Sequence, residues 1–220
     1  DEGNEVNGNS TGFAGASYAG DLVISSNASD GVSTPISISG GTPGDETLVA
    51  DDNTFVGSSS TPISISSFGD VDLGGTTSID GSQSGSAVLL NGVMDSTVSG
   101  LTVTGSANAG IEVYGGIVDI SACDLTGATG NGLEIDGTST PVTLTIADNV
   151  AISANTGHGI DLAGAVTGAI AGNTIADNAG YALACHTADV DIATCAGNTL
   201  AGNVMGDILE ENGCPLAACY

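Results

Sequence analysis

The chain has 220 residues, 26 Asp and Glu, two His and no Lys or Arg, for a formal net charge of −26. A soluble chain of this length ordinarily carries about 25 Lys and Arg, so the imbalance comes from missing cations rather than surplus anions. Their absence excludes neutralisation of nucleic-acid phosphates, polybasic attachment to anionic membranes, and mechanisms built on an Arg clamp, a Schiff-base Lys or a phosphate-loop Lys.

Taken in chain order, residues 1–20 are rich in Gly, Asn and Ala and do not fit the pattern that follows. They are expected to cap the first coil or to reach a neighbouring subunit by strand addition. The chain opens at Asp1 with no basic-then-apolar leader, which fits a mature product or an excised fragment. From residue 22 onward short segments recur. Leu22-Val23-Ile24-Ser25-Ser26-Asn27 and Leu48-Val49-Ala50-Asp51-Asp52-Asn53 lie 26 apart, and Ser33-Thr34-Pro35-Ile36-Ser37-Ile38-Ser39 returns 27 residues later as Ser60–Ser66. Ser139-Thr140-Pro141-Val142 reads as a third copy, about three repeats further on.

The second half repeats more strictly. A Gly-apolar-x-apolar anchor appears at Gly110-Ile111-Glu112-Val113, Gly132-Leu133-Glu134-Ile135, Gly159-Ile160-Asp161-Leu162 and Gly180-Tyr181-Ala182-Leu183, with a weaker copy at Ile208-Leu209-Glu210. A second track places Leu101, Cys123, Asn149, Asn173 and Asn198 in one column, spaced 22, 26, 24 and 25. Apolar residues alternate with Ser, Thr, Asp or Ala over three to six positions between Gly, Asn and Asp punctuation, which predicts short strands and no amphipathic helix. The expected fold is therefore all-β: a β-solenoid over 21–213 of about nine coils, roughly 24 residues per coil, with strands stacked about 4.8 Å apart. Asn149, Asn173 and Asn198 are expected to form an amide ladder at one corner, where Asn tolerates left-handed geometry. Large aromatics are scarce, at 3% with no Trp, so the core must be aliphatic. No run of about 18 apolar residues is present to form a membrane-spanning helix.

Segments such as Gly159-Ile160-Asp161-Leu162 followed by Ile170-Ala171-Gly172-Asn173-Thr174-Ile175 resemble the repeat of right-handed parallel β-helix proteins, the pectin-lyase-like superfamily. The resemblance is good over about 87–213 and looser over 20–86. It implies a right-handed coil. The superfamily holds lyases, hydrolases, adhesins and plain structural rods, so function does not follow from it. A polysaccharide lyase of that class uses Arg or Lys beside the substrate carboxylate, and this chain has neither. Gly157-His158-Gly159 and Asp51-Asp52 resemble elements of the polygalacturonase family, but the aspartate pair lies 105 residues upstream instead of close by, and the family's basic motif is missing. His158 is therefore read as an exposed turn residue, and the protein as a non-enzyme, with a glycoside hydrolase as the alternative.

Four of the five Cys, at Cys185, Cys195, Cys214 and Cys219, crowd the last 36 residues, and 214–220 reads as a stapled end piece. Local pairs Cys185–Cys195 and Cys214–Cys219 are the simplest connectivity, although spacing does not fix it, and reduced buried Cys is the other reading; Cys123 is left over either way. Cys185, His186 and Cys195 could also hold a soft metal, though without paired Cys-x-x-Cys spacing. Acidic clusters at Asp51-Asp52, Asp70/Asp72 and Asp189/Asp191 are candidate Ca²⁺ ligands of a generic kind. Two sequons, Asn9-Ser10-Thr11 and Asn27-Ala28-Ser29, matter if the host glycosylates them. Together these features point to an extracellular or cell-surface structural or adhesive solenoid, self-associating end to end. Its partners are expected to be copies of itself and a cell-surface glycan, with no nucleic acid and no direct anionic-membrane contact. The alternative is a carbohydrate-binding or carbohydrate-active β-helix, or a monomeric solenoid segment of a larger surface protein.

Overall fold

A computed structural model describes residues 5–7, 11–18, 21–40, 46–149, 151–216 and 219. Every strand pairing in it is parallel, and each strand pairs with its counterpart one repeat away. Three strand stacks result. The first face runs from Thr11–Tyr18 through Thr34–Gly40, Ile63–Ser66, Val88–Asn91 and Ile111–Tyr114 to Tyr181–Cys185 and Gly206–Glu210. The second runs from Leu22–Ser25 to Val190–Ala196, and the third from Glu5–Asn7 to Thr199–Ala201. Two long strands, Leu133–Ala147 and Ile160–Ala171, bend from the first face into the second without a break. Among the described residues the third face counts nine strands, and the chain completes about eight turns.

The alternation in the sequence becomes in-out alternation in each strand. Ile36, Ile63, Val88, Ile111, Leu133, Ile160 and Leu183 stack in register on the first face and are all fully buried. Phe55, Ile79, Val103, Leu125, Ile152 and Ile175 do the same on the third. Each such side chain contributes about 1.5–3 kcal/mol, so a narrow core without Trp suffices. The anchor glycines fit because coils approach closely: a Cβ on Gly159 would stand 2.7 Å from Ala182 O of the next coil.

Two corners carry the polar spine. At the first, Asn27, Asn53, Thr77, Leu101, Cys123, Asn149, Asn173 and Asn198 form one column between the second and third faces. Asn149 Nδ2 donates to Asn173 Oδ1 at 2.7 Å, and Asn173 Nδ2 to Asn198 Oδ1 at 3.0 Å. Each amide also donates to a carbonyl of the coil before, as Asn173 does to Ile146 O at 2.9 Å. A second ladder stands at the next corner, where Asn155 Nδ2 donates to Asn178 Oδ1 and Asn178 Nδ2 to Asn203 Oδ1, both at 2.9 Å. The left-handed residue is not, as expected, the Asn itself but the one before it: Ser26, Asp52, Asp148, Ala154 and Asp177 have φ between 53° and 57°. That residue turns the chain, and the Asn behind it points inward to bond the exposed amides.

Several expectations change. Glu5–Asn7 and Thr11–Tyr18 pair in parallel with the following coil, so strand pairing begins before residue 21. Ile160 pairs with Leu183, not Tyr181, which displaces that anchor by two residues. Val142 lies on the second face opposite Val166, so the Ser139 segment is a copy in sequence but not in position. The disulfides are Cys185–Cys214 and Cys195–Cys219, not the local pairs. Their separations of 29 and 24 residues are close to one repeat, which is what brings two side chains together in a solenoid. Cys185 and Cys195 are thereby removed as soft metal ligands. Cys123 is free and buried, and burial pushes its thiol up to about 11. Asn27 is 2% exposed inside the first corner, so its sequon is closed to glycosylation in the folded chain; Asn9 lies outside the described residues.

Candidate functional site on the first face

The x position of the anchor points outward on the first face. Register places Glu112, Glu134 and Asp161 directly beside one another on three successive rungs, about 4.8 Å apart per step. Like charges so placed destabilise a sheet, and no Lys or Arg exists to relieve them. Local hydrogen bonds hold the row instead. Glu112 accepts from the Tyr114 hydroxyl and from Ser86 Oγ, the latter at 2.6 Å. The bond to Glu112 holds the Tyr114 phenol well above its ordinary range. Asp161 Oδ2 accepts from Asn131 Nδ2 at 3.1 Å. Glu134, in the middle, has its carboxyl raised, first by burial and then by the flanking charges of Glu112 and Asp161.

Both histidines of the chain close the C-terminal end of this row. His158 is not an exposed turn residue but half-buried: its Nδ1 accepts from Tyr181 N at 3.0 Å, and its ring stacks on Tyr181 with centroids 5.8 Å apart. Burial lowers its pKa. His186 bridges two carboxylates, with Nε2 2.8 Å from Asp161 Oδ1 and Nδ1 2.9 Å from Glu211 Oε2. Burial opposes its protonation, but the Glu211 hydrogen bond and the Asp161 charge raise its pKa. One ligand atom each from His158, Asp161 and His186 lie within 4.8 Å of one another.

The acidic pairs singled out in the sequence do not converge in this way. Asp70 and Asp72 line a hollow of about 230 Å³ on the second face with Asp95, Thr47 and Thr97. Asp51 lies nearby, its carboxyl raised by burial and then by Asp72 and Asp52. Asp52 Oδ1 accepts from Thr76 N at 2.7 Å and serves the corner. Asp189 and Asp191 are exposed several coils away, with Asp191 opposite Thr167. Among the described residues, the one group of three or more acidic, His or Cys ligand atoms gathered at metal-binding distance is His158, Asp161 and His186.

The strained member of the row yields a test. Glu134→Gln is expected to stabilise the fold at pH 7 by about 0.5–1 kcal/mol, because it removes a like charge from between two others. A carboxyl raised in the folded state contributes stability below its unfolded pKa and loses it as pH rises through the folded value. The advantage of the variant should therefore shrink as pH falls from 7 toward 4, read from urea midpoints at each pH. A difference independent of pH would place the effect elsewhere.

A family model described as the right-handed beta helix region matches residues 86–216. No curated protein and no solved structure matches the chain.

Proposed function

The chain belongs to the right-handed β-helix family, and on that premise we propose that it is an extracellular adhesive solenoid whose first face binds a neutral or amino-sugar glycan. The row Glu112–Glu134–Asp161 carries this reading. Ligand sites on a solenoid repeat with the coil, and carboxylates at one-rung intervals offer paired acceptors to the regularly spaced hydroxyls of an extended sugar chain. Tyr114 and Tyr181 border the row with aromatic surface, and the charge of −26 turns uronates and sulfated chains away. Two disulfides support an oxidising, extracellular setting.

One observation favours a glycoside hydrolase as the second reading. Glycosidic cleavage uses a protonated carboxyl beside an ionised one, and Glu134 is a raised carboxyl between two others. Self-association is supported by the C-terminal end. There Val190–Ala196, Thr199–Ala201 and Gly206–Glu210 pair on one side only among the described residues, and Val204 and Met205 are exposed at 77% and 58%.

Affinity electrophoresis through neutral, aminated and uronate polysaccharides tests the main reading. Retardation by neutral or aminated chains is expected, with at least tenfold weaker binding in Glu134→Gln/Asp161→Asn. No retardation by any of them, or unchanged binding in the variant, overturns it. Release of reducing ends that vanishes in Glu134→Gln would move the assignment to the hydrolase. Light scattering on the same samples reads assembly, and a monomer at every concentration removes self-association.

A further inference from the structure

We propose that His158, Asp161 and His186 form a binding site for a borderline first-row divalent cation of the zinc class. The proposal goes beyond the glycan reading and does not depend on it.

The chain contains two imidazoles in 220 residues, and the fold brings both to one carboxylate. His158 sits in the turn before the rung that carries Asp161. His186 follows the next rung, where its own amide donates to Leu162 O at 3.1 Å and fixes its height beside Asp161. The three ligand atoms lie within 4.8 Å of one another. In a tetrahedral zinc site with bonds of about 2.0–2.2 Å, ligand atoms stand about 3.3 Å apart. Asp161 Oδ1 and His186 Nε2, at 2.8 Å, are already inside that spacing. They need only move apart by a few tenths of an ångström to admit the cation between them.

The surroundings are those of a metal site. Metal-bound imidazoles usually hand their second N–H to a carboxylate, which sets the tautomer and strengthens the ligand; His186 Nδ1 meets Glu211 Oε2 at 2.9 Å. Asp161 is oriented through its other oxygen by Asn131, whose own Oδ1 accepts from His158 N at 2.8 Å. One side-chain amide thus positions two of the three ligands. His158 is the ligand that must change partner. Its Nδ1 accepts from Tyr181 N in the cation-free chain, and the ring must release that bond, worth about 1 kcal/mol, to offer its lone pair. Imidazole nitrogens select zinc, nickel or copper over calcium, and Glu134 and Glu211 add a field that attracts any divalent ion.

The test is calorimetric titration of the full, oxidised chain with zinc chloride near pH 7.5, in a millimolar excess of calcium chloride. One equivalent should bind despite the calcium, and the imidazole proton resonances of both histidines should shift. His158→Ala and His186→Ala should each weaken binding at least tenfold, and Glu211→Gln, a substitution at an exposed position that leaves all three ligands in place, by about 10-fold or more. Cobalt(II) in place of zinc should show visible absorption that His186→Ala abolishes. Zinc that calcium displaces, or affinity unchanged in both His186→Ala and Glu211→Gln, would show only a general acidic surface and overturn the site.

Discussion

Asn173→Ala is expected to lower the unfolding free energy by about 3–5 kcal/mol, which would make it among the most damaging single substitutions in the chain. The side chain is 1% exposed. Its Oδ1 accepts from Asn149 N at 3.1 Å and Asn149 Nδ2 at 2.7 Å, and its Nδ2 donates to Ile146 O, Ala171 O and Asn198 Oδ1 at 2.9 to 3.1 Å. Truncation leaves buried donors of Asn149 and a buried carbonyl without partners, each worth about 1–3 kcal/mol. Cys123→Ala, in the same column, removes one buried thiol and leaves the amide of residue 123 bonded to Asn149 Oδ1; its cost should be only about 1 kcal/mol. Urea unfolding of both variants decides the matter. Equal losses would mean that the ladder adds nothing beyond side-chain volume.

Reduction of the two disulfides should lower the melting temperature by about 10–20 °C. Loops of 29 and 24 residues each account for about 3.5 kcal/mol of lost unfolded-state entropy, and the overlapping pair for less than twice that. The damage should be local. Cys214 and Leu216 are buried against the end of the core, at 4% and 0% exposure, and Leu216 N donates to Glu210 Oε1 at 2.6 Å. The staples hold this plug over the last coils, whereas the N-terminal coils are held by their own stacking. Chymotrypsin or elastase should therefore cut the reduced chain first within 186–216, as read by mass spectrometry; trypsin has no Lys or Arg to cut at. An unchanged melting temperature would deny the staples any part in stability.

The solenoid was legible because its rules are local and periodic. Ile36 over Ile63 and Leu22 over Leu48 pair as the 27- and 26-residue intervals indicate. Legibility ended where a copy in sequence was not a copy in space. Tyr181 follows a Gly like the other anchors, but its rung begins two residues early and Leu183 takes the buried place. The cysteines show the same limit: Cys185 and Cys195 are near in sequence but stand on different faces, while residues about one period apart are neighbours. The candidate site was present in the anchors all along, as Glu112, Glu134 and Asp161 at their x positions. Those positions lie between the buried apolar columns, so the periodicity that defines the core carries no mark of them. His158 and His186, 28 residues apart, could have been joined by the same reasoning.

The corner ladders carry a consequence for how such a chain changes over generations. Asn149, Asn173, Asn155 and Asn178 each bond the coil before and the coil after and nothing more distant. A duplicated block of one period inserted between Asn149 and Asn198 would find the same donors, acceptors and aliphatic seats already waiting, and a deleted block would let the remaining coils close over the gap. Length is thus a nearly free variable in this architecture. Tandem duplication and loss can lengthen or shorten the molecule like beads on a string, although a block that falls between Glu134 and Asp161, or one that removes Cys185 or Cys195, would also break the acidic row or the staples.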